Sequence, residues 1–130
     1  MGNAAVVAGD RITGDCAVHT VPSPTGAPMP APAPLPFAAP LATALASTVT
    51  IEGRLAAVQG STGLNVPPHP GLHPGDPFLA PPTQQGRVVT GSGTVRFDGR
   101  PAAYTGCPVT VCAAVAGRVT GTATTVSIGA

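Results

Sequence analysis

The sequence has few of the residues on which many functional classes depend. Aromatic residues make up 3% of the 130 residues, charged residues make up 8%, and there is no tryptophan. The basic residues are all arginine, and the formal net charge is only +1. Because nucleic-acid binding depends on a basic surface that neutralises phosphates, this balance argues against a nucleic-acid partner.

Long apolar runs and a secretory leader are also missing. No stretch approaches the length of a membrane-spanning helix, and the first residues lack the basic segment that opens a signal peptide. We therefore expect synthesis in the cytoplasm without a signal peptide. In that compartment the three cysteines are expected to be thiols or metal ligands rather than a disulfide framework.

Glycine and proline, in contrast, are abundant, with 17 of each. Valine, isoleucine and threonine cluster in short runs of the kind that form β-strands. The glycines and prolines are therefore expected at turns between strands rather than in a disordered chain. The sequence predicts one small all-β domain over residues 1–130.

One stretch, Thr94–Cys107, has the pattern of a strand, a turn and a return strand. Val95 and Phe97 alternate with polar residues, as in a half-buried strand, and Asp98-Gly99 is a strong turn signal. The same pattern recurs without a gap at residues 48–61, including the acidic residue, Gly-Arg and the Ala-Ala pair. A match of that length predicts a repeat protein.

Two partial copies accompany these motifs. Residues 3–10 resemble the second half of the motif, with Ala4-Ala5 as the alanine pair, and residues 125–128 repeat its first strand. Each repeat is followed by a segment that carries His or Cys residues. We therefore expect a pseudo-threefold arrangement of short strands and hairpins, in which every repeat contributes candidate metal ligands.

Three segments interrupt the repeats. The insertion at about residues 20–40 is too rich in proline for a helix or a central strand, so we expect an extended surface loop anchored by Leu35 and Phe37. Residues 41–47 predict one or two helical turns. Residues 62–82 predict a long irregular loop, and loops of that length are often functional.

The repeated motif resembles the PAAR-repeat family. The resemblance rests on Gly-Arg-Pro-Ala-Ala within residues 99–103, on the preceding Thr-Val-x-Phe/Ile-x-Gly strand, and on Gly-Asp shortly after an Ala-Ala pair. It extends over nearly the whole chain, with the Pro-rich segment as an insertion. It implies a small, sharp cone of short β-strands whose flat base binds the blunt end of a trimeric β-helical spike protein of the VgrG type.

At three positions the sequence departs from the family pattern. Tyr104 replaces the Arg of Pro-Ala-Ala-Arg, Leu55 replaces the Pro in the other copy, and Cys107 replaces the Asp that follows Gly106. The chain therefore resembles the divergent, PAAR-like members. Because of these departures, the resemblance says least about the details of the flat base that is expected to bind the spike.

The resemblance also implies a structural zinc ion, which that family holds near the apex with three His and one Cys. Carried over position by position, it implies these ligands: His19, His69, His73 and Cys112. Cys107 and Cys16 are reserve candidates. Imidazole and thiolate are ligands that zinc prefers, and a closed set of four leaves no open position for catalysis.

Simpler interpretations of the same residues remain open. The histidines are also consistent with ordinary loop residues, and the cysteines with buried apolar thiols. A Cys16–Cys112 or Cys107–Cys112 disulfide, formed after export, is a further alternative.

For function, the resemblance implies a structural spike tip of a contractile injection system, either type VI secretion or a phage-tail-like particle. Such a tip sharpens the spike for membrane puncture and effector delivery, and it leaves the cell on the particle or enters a target. Effector cargo and the target membrane are its further contacts. Puncture of this kind is mechanical and needs no active site, and the Gly-x-Ser-x-Gly elbow of esterases does not occur, so we expect that the protein is not an enzyme. The alternative is a free-standing, zinc-stabilised β-domain with a binding or adhesive role.

Overall fold

The computed structural model describes residues 2–112 and 115–129. These residues form short β-strands and one 3-10 turn, Pro81–Thr83, and none of them lies in an α-helix. The expected all-β fold is confirmed, and no described helix is long and apolar enough to cross a membrane. The strands are β1 (Asn3–Ala4), β2 (Arg11–Cys16), β3 (Thr20–Pro22), β4 (Pro28–Pro30), β5 (Leu35–Pro40), β6 (Thr50–Ile51), β7 (Arg54–Leu55), β8 (Thr62–Leu64), β9 (Gln85–Val88), β10 (Arg96–Phe97), β11 (Arg100–Pro101), β12 (Val109–Val111), β13 (Val115–Ala116), β14 (Arg118–Val119) and β15 (Ser127–Ile128).

Three equivalent two-stranded units form one end of the fold. Two are hairpins, β6–β7 and β10–β11, and the third pairs β1 with β15. In both hairpins the two turn residues have positive φ, at Glu52-Gly53 and at Asp98-Gly99. Positive φ at both central residues defines the tight turn that matches the twist of a hairpin, so the turn predicted at Asp98-Gly99 is present.

A closed triangle of backbone hydrogen bonds joins the three repeats. The N–H of Ala57 donates to the carbonyl of Val6 (2.9 Å), that of Ala103 to Ala57 (3.0 Å), and that of Val6 to Ala103 (3.3 Å). All three residues are fully buried. The small side chains of Ala57 and Ala103 allow the backbones to approach one another this closely. In the first repeat the equivalent pair is Ala5-Val6, one position later than the predicted Ala4-Ala5. We call Val6, Ala57 and Ala103 the central triangle.

Each repeat then turns at a glycine with positive φ, namely Gly9, Gly60 and Gly106. The next side chain closes the turn. Asp10 Oδ2 accepts from the N–H of Val7 (2.9 Å), and Ser61 Oγ accepts from the N–H of Val58 (3.0 Å). Cys107 occupies the third such position, and its N–H donates to the carbonyl of Tyr104 (3.0 Å).

The acidic turn residues connect neighbouring repeats. One carboxylate oxygen of Asp98 accepts from the N–H groups of Ser47 (2.6 Å) and Thr48 (3.0 Å). Glu52 accepts in the same way from Thr124 (2.7 Å) and Thr125 (3.0 Å). Hydrogen bonds from the Thr48 side chain lower the pKa of Asp98, and those from Thr125 lower the pKa of Glu52.

Each repeat is followed by a second hairpin, and these hairpins form the other end of the fold. β2 pairs with β5, β8 with β9, and β12 with β13, while β9–β12 and β14–β2 pairs join neighbouring hairpins. The segments between paired strands differ greatly in length: residues 17–34, residues 65–84, and a short connection that starts at Cys112. These three connections carry the candidate ligands.

The Pro-rich insertion is not the loop predicted from its composition. It contains a small β3–β4 hairpin and the six-residue strand β5, which pairs with β2 along its whole length. Ala38 directs its N–H to Asn65 and its carbonyl to Val66, away from β2. Pro36 and Pro40 occupy the same alternate positions, where a missing N–H costs no pairing with β2. β5 is an edge strand, where proline is tolerated.

The helical turns predicted at residues 41–47 are also absent. The N–H of Leu41 donates to the carbonyl of Asp10 (2.9 Å), and that of Ala46 donates to Ala56 (2.9 Å). Both residues are buried. Hydrogen bonds to two neighbouring repeats thus replace those that a helical turn would have formed within the segment.

The apolar side chains form two clusters, one at each end. The cluster at the end of the two-stranded units contains Ala5, Ala56 and Ala102, together with Ile51 and Ile128. Val95 and Phe97 pack against it half-buried, while their polar neighbours are exposed, which confirms the predicted alternation. The second cluster includes Ile12, the buried Phe37 and the three cysteines discussed below.

Candidate metal centre

Four buried side chains with metal-ligating atoms meet at the end opposite the two-stranded units. Cys16 is the last residue of β2, and His19 follows in the connection after it. His69 lies in the connection between β8 and β9, and Cys112 follows β12. One ligand atom from each residue lies within 4.8 Å of all the others. The three connections thus converge on one point, which we call the Cys2His2 cluster.

Cys112 is at the centre of this cluster. Its Sγ lies 3.1 Å from Cys16 Sγ, 3.3 Å from His19 Nε2 and 3.5 Å from His69 Nε2. In a tetrahedral zinc site with Zn–S bonds of about 2.3 Å, two sulfur atoms are about 3.8 Å apart. The two sulfurs therefore need to separate by about 0.7 Å to accept such an ion. The donor set and its spacing fit a tetrahedral metal ion.

The two cysteines are free thiols, and their sulfur atoms lie within hydrogen-bonding distance of one another. The hydrogen bond with Cys112 lowers the pKa of Cys16 to about 5, while burial opposes this shift and His19 adds to it. The same contact raises the pKa of Cys112, and burial raises it further. The contact therefore favours a thiolate on Cys16, which would attract a cation bound there.

Asp76 lies behind His19, on the side away from the sulfurs. Its Oδ1 is 3.4 Å from His19 Nδ1 and accepts from the N–H of Phe78 (2.7 Å), while its Oδ2 accepts from the N–H of Thr20 (2.8 Å). Burial opposes ionisation of Asp76, but these N–H groups and the neighbouring His19 together outweigh it and lower its pKa. A carboxylate behind a ligating imidazole is a frequent feature of metal sites.

A pair of amides lies behind His69. Gln84 Oε1 accepts from the backbone N–H of His69 (2.8 Å) and from Asn65 Nδ2 (3.0 Å). Asn65 Nδ2 is also 3.4 Å from His69 Nδ1. Both amides are buried, and they fix the connection that carries His69.

His73, predicted as a ligand, is not in the cluster. Its Nε2 is 3.0 Å from the carbonyl of Gly26, and its Nδ1 accepts from the N–H of Gly75 (2.9 Å). Both ring nitrogens therefore bond to backbone groups of the long connections. Cys16, kept in reserve, occupies the fourth place instead, next to the other three predicted ligands.

Cys107, the other reserve candidate, belongs to a turn and not to the cluster. It follows Gly106 as Asp10 follows Gly9 and Ser61 follows Gly60, and burial raises the pKa of its thiol. Aligning the three repeats would have assigned it to the turn. The signal for Cys16 was its position three residues before His19, a separation that occurs among zinc ligands, and it supported Cys16 only as a reserve candidate.

The chemistry available to the cluster is that of a closed site. Two thiolates and two imidazoles complete a tetrahedral set, and all four residues are buried. Such a set can hold a metal ion and brace three connections against one another. No protein-family model matches the chain, and no curated protein matches it.

Proposed function

We propose that this protein is a PAAR-like spike tip that completes the blunt end of a trimeric β-helical spike in a contractile injection system. The observation that carries this proposal is the threefold equivalence of the two-stranded units. Their three backbones are joined by the central triangle, with all three hydrogen bonds between 2.9 and 3.3 Å. A single chain with three equivalent sectors matches a trimeric partner, because each sector can face one subunit of the trimer.

The end of the fold that carries these units has the character of a docking face. Val49, Val95 and Val126 occupy equivalent places in the three repeats, and each is half-buried against the apolar cluster. Their backbones are equivalent too, because their carbonyls accept from the N–H groups of equivalent alanines, which are Ala56, Ala102 and Ala5 respectively. A cap at this face would also cover the open strand edges of a β-helix, which otherwise invite further pairing.

In this proposal the Cys2His2 cluster holds a structural zinc ion. Thiolate and imidazole in a tetrahedral arrangement are typical of zinc, and such sites contribute on the order of 10 kcal/mol of folding free energy in small metal-dependent peptides. Binding there braces the three connections at the tip. The protein would act mechanically in membrane puncture, with effector cargo attached to it or to the spike.

Binding to the spike protein tests the proposal. Thr50, Arg96 and Ser127 are exposed residues at equivalent positions of the three units, one in each sector. Replacing all three with Glu places a charge in every sector of the face. We expect the wild-type chain to bind the purified spike trimer at one copy per trimer, and the triple variant to lose this binding in size-exclusion chromatography with light scattering.

The matched control places three glutamates at the other end, at the exposed positions Ala27, Val66 and Leu79. We expect this variant to bind the spike as the wild type does. A wild-type chain that takes up zinc but does not bind the spike trimer would contradict the proposal and favour the free-standing zinc-stabilised domain. Binding of three copies per trimer would also contradict it, because it would remove the role of the internal threefold.

A further inference from the structure

The two histidines of the cluster have opposite surroundings. Each presents Nε2 to Cys112, but the groups that face their Nδ1 atoms differ in hydrogen-bonding character. His19 Nδ1 faces a carboxylate, which can only accept a hydrogen bond when ionised. His69 Nδ1 faces the amide nitrogen of Asn65, which can only donate. Because each neutral imidazole has one N–H, this difference selects different tautomers.

The group that faces His19 Nδ1 is held firmly in place by its own hydrogen bonds. Among the described residues, its Nδ1 is the one buried side-chain nitrogen or oxygen without a hydrogen-bond partner by distance and angle, and Asp76 Oδ1 is the nearby acceptor at 3.4 Å. Backbone N–H groups of Thr20 and Phe78 hold both oxygens of Asp76 in place. The carboxylate therefore cannot turn away from His19 without losing those bonds.

The geometry points to Asp76 as a positioning residue for the metal ion, which keeps the proton of His19 on Nδ1 and leaves the lone pair of Nε2 free for the ion. This inference rests on the metal site of the proposed function. Asp76 does not reach the cluster itself. It acts through the tautomer and the orientation of His19, as outer carboxylates do in many metal sites.

The amide of Asn65 has the opposite effect on His69. Its Oδ1 accepts from the N–H of Ala38 (3.0 Å), and its Nδ2 donates to Gln84 Oε1 (3.0 Å), which fixes the orientation of the amide. His69 Nδ1 therefore faces an N–H donor, and its own proton resides on Nε2. Ligation through Nε2 requires that proton to leave. His19 is thus the prepared imidazole ligand, and His69 is the one that has to adjust.

Long-range ¹⁵N–¹H NMR correlation spectra of the wild-type chain report the tautomer of each imidazole directly. In the metal-free protein we expect His19 with its proton on Nδ1 and His69 with its proton on Nε2. Where the metal-free chain does not fold, the zinc-loaded chain is used, in which we expect a protected Nδ1 proton on His19. A His19 with its proton on Nε2 in the metal-free chain, or with Nδ1 bound to zinc, would overturn the inference.

Affinity for Co²⁺, measured by competition with a chromophoric chelator, gives a second test. We expect Asp76→Asn to weaken Co²⁺ binding by about 10- to 100-fold, the range for outer-shell partners of ligating histidines. Asp10→Asn is the matched control, because Asp10 is a similarly buried carboxylate that accepts backbone N–H bonds from Val7 and Thr122 and lies outside the cluster. Equal affinities of the Asp76→Asn and Asp10→Asn variants would overturn the inference.

Two further experiments test the inference separately from the proposed function. If Asp76→Asn does not fold, His19→Ala and His69→Ala are compared, and we expect His19→Ala to lose more Co²⁺ affinity. Equal losses, or a larger loss for His69→Ala, would overturn the inference. Failure of the wild-type chain to bind the spike trimer contradicts the proposed function but leaves the tautomers and Co²⁺ affinities unchanged.

Discussion

The two ends of this protein are built on different principles. At the end of the two-stranded units, three sectors repeat one another, and backbone hydrogen bonds through the central triangle hold them together. At the other end the three connections differ in length and sequence, and side chains of the Cys2His2 cluster bring them together. The first end is held together by backbone groups, which do not depend on the identity of the side chain. The second end depends on four particular side chains.

This difference has a consequence for mutation. A substitution at the end of the two-stranded units has two counterparts in the same molecule, so its effect can be compared with theirs. A substitution in the cluster has none, and each ligand is irreplaceable. The following predictions use that contrast, in order of decreasing effect.

The largest effect is expected at Cys112, whose sulfur contacts the three other ligands. Cys112→Ala should weaken Co²⁺ or Zn²⁺ binding by more than about 100-fold, because outer-shell partners alone are worth about 10- to 100-fold. Competition with a chromophoric chelator measures the change. Cys107→Ala is the control, since this buried thiol lies in a turn outside the cluster and should leave metal affinity unchanged. A similar loss in both variants would show that metal binding depends on the general stability of the fold.

The next effect is expected in the central triangle. Ala103→Val adds volume to a fully buried position whose counterpart is already Val6, and overpacking of this kind costs about 1–3 kcal/mol. Urea unfolding measures the loss. The double variant Val6→Ala/Ala103→Val restores the total volume, so threefold equivalence predicts that it recovers part of the stability lost by the two single variants. Strictly additive losses would show that the two positions are not equivalent in packing.

An effect of similar size is expected at the turn positions. Ser61→Ala removes the hydroxyl that accepts from the buried N–H of Val58, which should cost about 1–3 kcal/mol in unfolding free energy. Cys107→Ser places the same hydroxyl at the equivalent turn of another repeat, and we expect it to be close to neutral. Thermal unfolding of both variants measures this. A large loss in Cys107→Ser would mean that the thiol has a packing role of its own there.

The smallest effect is expected from the exposed carboxylates of Glu52 and Asp98, whose pKa values are lowered by hydrogen bonds from the neighbouring repeat. A lowered pKa in the folded state means that their stabilisation is complete above the ordinary carboxyl range. It is lost as the pH falls through the lowered values. Between about pH 5 and about pH 2.5 the melting temperature of the wild type should fall further than that of the Glu52→Gln/Asp98→Asn variant.

The comparison between the wild type and this double variant also controls for the metal site, because both proteins keep the acid-sensitive thiolate ligands. The difference between the two pH profiles therefore isolates the turn carboxylates. Identical profiles would contradict a stabilising role for the hydrogen bonds between repeats.

The repeats were accessible to sequence analysis because they are local. The strand alternation of Val95 and Phe97, the Asp98-Gly99 turn and the Ala-Ala pairs each depend on neighbours in the chain. The β1–β15 pair was missed as a unit, although both halves were noticed, since no turn connects them. The β5 strand was missed because composition suggested a loop, whereas the alternate spacing of its prolines suits an edge strand.

The candidate site was predictable only in part. The sequence assigned His19, His69 and Cys112 to connections that the structure brings together, but it preferred His73 to Cys16 for the last place. The reason is that spacing inside long proline-rich connections does not determine direction. His73 bonds to Gly26 and Gly75 instead, while Cys16 is directed to the cluster by the register of β2 with β5.

The β1–β15 pair also brings together two segments that are far apart in the sequence. The other two units close through local turns, at Glu52-Gly53 and at Asp98-Gly99, whereas this unit is held by pairing between strands that no turn joins. The N–H of Ala5 donates to the carbonyl of Val126 (3.0 Å), directly beside Val6 of the central triangle. Closing this unit therefore costs more chain entropy than closing either hairpin.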